Sequence, residues 1–360
     1  MATSDILIWV GTFTEDPDEG IHHFRLDPTS GALTPAGTTG GVPNPFFLKV
    51  DATGQRLYAT NAVDELDGRA EGGMSAFTIE QPSGELRLLN RQATGGTLPC
   101  YISLDRSGRQ LLTGNYNSGS VAVLPIDADG LQPVSSRWQH EGFTAINPER
   151  QDGPHVHCMV LDPSERWAYA ADLGADVVRV YAFDADSGSL TPAHDLTVTA
   201  KPGAGPRHIA FHPSGAYAYL LNELNGTLGV YAFDAESGRF DEIHTVTTLP
   251  ADFTDENYAA DVQLLPSGDF LYASNRGHDS IARFAVDAGS GRVEFIGHTP
   301  AEGSWPWNLA IDPTTNFMLV SNYESDRVDV LRIHTDTGDL TPTGHSAPAP
   351  KPTCVTMLAL

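Results

Sequence analysis

Four ionisable side chains, His157, Arg207, Glu223 and Arg276, stand at repeat positions where a plain turn would take Asn or Gly. Two converging arginines can hold an anion through paired N–H donors, or steady an oxyanion as it forms. A histidine or a carboxylate beside them can take a proton from water. Together these types can activate water and stabilise the charge that its attack creates. A structural ion-pair network is the competing reading, and convergence on one point favours the chemical one.

Convergence follows from the element that carries two of them. The stretch from Gly205 to Glu223 has a polar start, an apolar run, the turn Pro213-Ser214-Gly215, a second apolar run and a polar end. It reads as two strands joined by a tight turn. A hairpin returns its ends to one edge, so Arg207 and Glu223 share a rim and the turn lies on the opposite one.

The hairpin recurs. Equivalent runs start near Phe47, Ile102, Met159, Leu264 and Ile311, and their second strands end at Asn61, Asn115, Asp172, Asn275 and Asn322. A third strand and a fourth, introduced by turn chemistry such as Asp-Ser-Gly or Asp-Thr-Gly, follow in most units. Four strands per roughly 50 residues is the signature of a β-propeller. Six such units are internal. Ile6–Gly11 reads as a second strand lacking a first, and Pro352–Leu358 as a first lacking a second. Joined, they complete a seventh blade and close the ring without an open edge. The expected fold is all-β, a seven-bladed propeller, with residues 1–360 as a single domain.

Strand-one starts and strand-two ends of every blade then line one mouth. Besides the four groups above, this mouth collects Tyr116, His155, Asp172, His208, Asn222, Asn275, Trp305 and Asn308 as candidate substrate contacts. His155, His157, His208, His212, Asp172 and Glu223 are potential metal ligands. However, His155 and His157 alternate along a strand, and no HxxxH or paired-Cys spacing is present. No metal or cofactor is expected. A serine-hydrolase elbow of the form Gly-Xaa-Ser-Xaa-Gly is also absent.

Composition narrows the partners. The net charge of -25 argues against nucleic acid. It also obliges any anion site to supply its own local cations. No apolar run is long enough for a membrane-spanning helix. The first residues lack a signal-peptide pattern, so a cytoplasmic location is expected. Cys100, Cys158 and Cys354 form no metal or disulfide spacing and read as small buried residues.

Several motifs together resemble the seven-bladed propeller lactonases, a family that includes propeller-type 6-phosphogluconolactonases and carboxy-muconate lactonizing enzymes. They are His157-Cys158-Met159-Val160-Leu161-Asp162-Pro163, Gly205-Pro206-Arg207-His208, Asn222-Glu223-Leu224 and Ser274-Asn275-Arg276-Gly277-His278-Asp279-Ser280. Arg150-Gln151 and Asp172-Leu173-Gly174-Ala175-Asp176 fit as well. The resemblance spans essentially the whole chain. It implies a metal-independent site in which His157, Arg207, Glu223 and Arg276 act on a small lactone, foremost 6-phosphogluconolactone of the pentose phosphate pathway. Members often carry Pro-Arg-Asn where this chain has Pro306-Trp307-Asn308, a departure that weighs toward a lactone without phosphate. Lactonization of a muconate-type acid, and a non-enzymatic docking role, are the alternatives.

Overall fold

The computed structural model of the chain describes residues 5–14 and 19–360, and these fold into seven antiparallel sheets arranged as a propeller. The third blade is representative: Val156–Leu161, Trp167–Asp172, Val177–Asp184 and Ser189–Pro192, with Val198–Thr199 extending the outer edge. The fourth runs Pro206–Phe211, Tyr217–Asn222, Thr227–Asp234, Arg239–Thr247, and the fifth Tyr258–Leu264, Phe270–Arg276, Ser280–Val286, Val293–Pro300. In each blade the first strand lies innermost, against the first strands of its neighbours. The outer strand of the fourth blade, Arg239–Thr247, is nine residues long.

Ring closure follows the expected join. Ile6–Thr12 pairs antiparallel with Pro352–Ala359, in register from Ile6 opposite Ala359 to Gly11 opposite Cys354. Ile21–Leu26 and Leu33–Thr39 complete that blade.

Period-two alternation explains why the sheets stack. Ile6, Ile8 and Val10 pack on Phe317, Leu319 and Val330 of the sixth blade. Leu7 and Trp9 of the same strand pack on Leu57, Ala59 and Phe77 of the first. Every blade interface carries one such apolar cluster. Second strands are therefore buried on both faces and read as continuous apolar runs. Asp162 caps its hairpin by accepting Ser164 N at 2.7 Å and Trp167 N at 2.8 Å, the Asx-turn role that makes Asp recur there. Among the described residues no helix is long and apolar enough to cross a membrane.

Because the closing strand supplies the inner edge of one blade and both of its interfaces, removal of residues 352–360 should abolish the cooperative thermal transition in near-UV circular dichroism. A truncated chain that melts within a few degrees of the full one would contradict this account of closure.

Candidate active site

The innermost strands share an irregularity at one height. Val156 pairs with Asp172 and Cys158 with Ala171, which leaves His157 outside the ladder. Arg207 is skipped likewise between Pro206 and His208, and Trp307 between Pro306 and Asn308. In the fifth blade Ala260 and Asp261 together oppose Ser274, between the Ala259–Asn275 and Val262–Ala273 pairs. A bulge bends its strand and re-aims the extra side chain. Here it aims His157 and Arg207 at Glu223 and Trp307 at Arg276. Their counterparts across the hairpins are the residues after the last ladder Asn. Asn222 pairs with Pro206 and Asn275 with Ala259, so Glu223 and Arg276 hold equivalent places in adjacent blades. Gly277 follows Arg276 because a Cβ there would lie 2.3 Å from Glu256 O, at φ +111°. Asp279 then accepts Trp305 N at 2.8 Å and fixes the neighbouring blade's entry.

The four expected groups meet around Glu223, whose side chain has no exposed surface. Arg207 Nε donates to Glu223 Oε2 at 2.9 Å, and Arg276 Nη2 lies 3.2 Å from Oε1. His157 Nε2 stands 3.8 Å from Oε2. A third guanidinium, Arg150, donates from Nη2 to Oε1 at 2.5 Å. Behind this layer Arg207 Nη1 donates to Ala260 O and approaches His208 Nε2 at 3.1 Å. His208 Nδ1 meets Asp261 Oδ1 at 2.8 Å, and Asp261 Oδ2 accepts Asn308 Nδ2 at 2.7 Å.

Burial opposes ionisation of Glu223, yet Arg276, Arg150 and Arg207 overcome it and hold the carboxyl far below its ordinary range. Burial, then the Arg207 charge, keep the His157 imidazole neutral well below 6.5. Burial and Arg207 likewise lower His208 to about 4. Arg276 comes down to about 10 through burial, and the two other guanidiniums outweigh part of the Glu223 attraction. At neutral pH the cluster holds three guanidiniums and one carboxylate, two positive charges in excess within an acidic protein.

These groups border a cavity of about 280 Å³ lined by Phe13, Phe46, Leu98, Cys100, Tyr116, Asn117 and Trp307 besides Arg150, His157, Glu223 and Arg276. Its wall is largely apolar. Two buried polar atoms of the lining, His157 Nδ1 and Trp307 Nε1, have no partner among the described residues. Arg276 lies over the Trp307 ring at 4.6 Å.

Of the candidate substrate contacts, only Tyr116 lines this cavity. His155 stacks on the Tyr116 ring at 4.6 Å and bonds Asp152 at the rim. Trp305 lies 5.8 Å from Arg276, outside the lining. His208 and Asn308 belong to the layer behind. Asp172, Asn222 and Asn275 are occupied locally: Asp172 by His140 and His155 N, Asn222 by Thr227, Asn275 by Thr248. They end strands and fasten turns, so the shared rim carries them near the site without turning them toward it. Arg150 had no assigned role in the sequence. It lies on an irregular segment between blades, which a repeat alignment does not align with anything. All three cysteines are free and buried, as expected.

The neutral imidazoles make stability depend on pH. Unfolded histidines titrate near ~6.5, whereas His157 and His208 stay neutral well below this in the folded chain. The unfolded state therefore binds more protons below pH ~6.5, and stability falls as pH drops toward 5. Calorimetric Tm should decline over that window, with a shallower slope in His208→Gln. An unchanged slope in the variant would contradict the assignment.

Comparison with known proteins agrees with this geometry. Residues 7–357 match the family model described as lactonase, 7-bladed beta-propeller. The chain is 37% identical over 351 residues to a Bacillus subtilis protein named 6-phosphogluconolactonase, covering 97% of each. It is 34% identical over 340 residues to one of the same name from Formosa agariphila, covering 92% of this chain and 94% of that one. Among solved structures it is similar to a periplasmic gluconolactonase of Pseudomonas aeruginosa, with TM-score 0.92 and 33% identity over 99% of both chains. The chain belongs to the seven-bladed β-propeller lactonase family.

Proposed function

We propose that the protein hydrolyses a sugar lactone, foremost 6-phosphogluconolactone to 6-phosphogluconate, at the Glu223 cluster. The observation that carries this reading is a buried, neutral imidazole whose Nδ1 has no partner among the described residues, beside guanidiniums that exceed their carboxylate. His157 Nδ1 takes a proton from water as its oxygen adds to the lactone carbonyl. Arg276, already on the cavity wall, stabilises the oxyanion. The tetrahedral adduct then expels the ring oxygen, which recovers the proton from His157, and the chain opens to the free acid. Glu223 stays ionised and too weakly basic to accept that proton. Its part is to face His157 Nε2 and support the imidazolium. Arg207, 1% exposed, positions Glu223 rather than touching substrate. Base catalysis of this kind contributes roughly 10²–10⁴ in rate, and one oxyanion donor roughly 10²–10³.

Relatives named lactonases support hydrolysis, and no contact in the site favours muconate lactonization or a docking role. The whole ring, residues 1–360, acts as one domain in this reading. Its three free cysteines suit the cytoplasm.

Ring opening of 6-phosphogluconolactone should exceed the spontaneous rate in a no-enzyme control, and His157→Gln should lose about 10²-fold in kcat. Because the base stays neutral well below 6.5, kcat/KM should show no ionisation near pH 6.5 and fall only at lower pH. A rate no faster than the control, for phosphorylated and unphosphorylated lactone alike, would refute the proposal.

A further inference from the structure

The three arginines on Glu223 are not equivalent. Arg207 is 1% exposed and spends its donors on Glu223, Ala260 O and His208. Arg276 is 5% exposed, donates from Nε to Tyr258 O at 3.1 Å, and is covered by Trp307. Arg150 is 28% exposed. Its Nη2 is engaged with Glu223 and, at 3.3 Å, with Tyr116 OH. Its other side-chain contact is with Tyr258.

The backbone beneath Arg150 is pinned independently of its side chain. Gln151, fully buried, donates from its N to Asn147 O at 2.8 Å and from Nε2 to Leu173 O at 2.9 Å. Its Oε1 accepts Asn147 N at 3.1 Å. This turn presents the guanidinium over the Tyr258 ring, 5.1 Å from its centre, at the open side of the cavity. Glu223 keeps two other guanidiniums if Arg150 turns away.

We propose that Arg150 is the specificity-determining residue of this site: it receives the anionic group that a lactone carries away from its carbonyl, and so selects phosphorylated over unphosphorylated sugar lactones. This rests on the lactonase reading for its chemistry but not for its binding claim. If Arg150 turns from Glu223, the edge that its Nη2 shares with Nη1 or Nε pairs with a phosphate bidentately. Arg276 and His157 stay free to work on the ring carbonyl. Phosphate binding would also offset part of the positive excess.

Two measurements on wild type, Arg150→Lys and Arg150→Gln separate the claims. The first is calorimetric binding of 6-phosphogluconate against gluconate, which differ by the phosphate and need no turnover. Wild type should prefer the phosphorylated acid at least tenfold, Arg150→Gln should reduce the preference to within about twofold, and Arg150→Lys should retain part of it. The second is the ratio of kcat/KM for 6-phosphogluconolactone over gluconolactone, which should fall at least tenfold in Arg150→Gln, mostly through KM. A wild type without preference, or an Arg150→Gln variant that keeps the wild-type preference and ratio, overturns the proposal even if hydrolysis is found. An Arg150-dependent preference without hydrolysis upholds it and refutes the lactonase reading instead.

Discussion

A carboxylate with no exposed surface stays ionised only where nearby cations repay the water it has lost. Glu223 meets that condition through three guanidiniums drawn from three different parts of the chain. The exchange runs both ways, since none of the cations could be buried so close together without the carboxylate at their centre. A buried ion cluster of this kind is not an efficient source of stability. What it provides is a fixed, desolvated array of donors with more positive charge than negative. In a protein whose net charge is -25, such an array is a local inversion of the overall field. It favours an anion and, together with burial, keeps His157 neutral.

The fold supplies this array by repetition with one defect. A regular propeller would direct its inner strands' side chains into neighbouring blades. The bulges at His157, Arg207 and Trp307 break the ladder at one height and turn these residues inward. The blade interfaces beyond the bulges are ordinary apolar packing and hold the bulged backbone in place. Rigidity is therefore placed one layer away from chemistry. The Asp261–His208–Arg207 chain extends it, because each member's hydrogen bond orients the next.

Much of this could be read from residue types. Alternating apolar runs, turns such as Pro213-Ser214-Gly215 and unpaired terminal strands specify the blades and their closure. Hairpin geometry alone brings Arg207 and Glu223 to one rim. Direction was harder to read. Asn222, Asn275 and Asp172 share that rim but fasten their own turns, and whether an Asn side chain faces a ligand or Thr227 depends on backbone angles that spacing does not encode. The bulges were invisible for the same reason, as nothing in Pro206-Arg207-His208 marks the skipped residue. Arg150 lay outside the repeat altogether, and Phe13 and Phe46 look like any other apolar residue until the ring closes around the cavity.

The dependence of the site on one carboxylate is tested most directly by denaturant unfolding of Glu223→Gln beside the wild type at pH 7. Removing the charge leaves three guanidiniums, two of them buried, facing a neutral amide, and a loss of about 3–5 kcal/mol is expected for a broken buried pair. A loss within about 1 kcal/mol, the size typical of an exposed ion pair, would contradict the account.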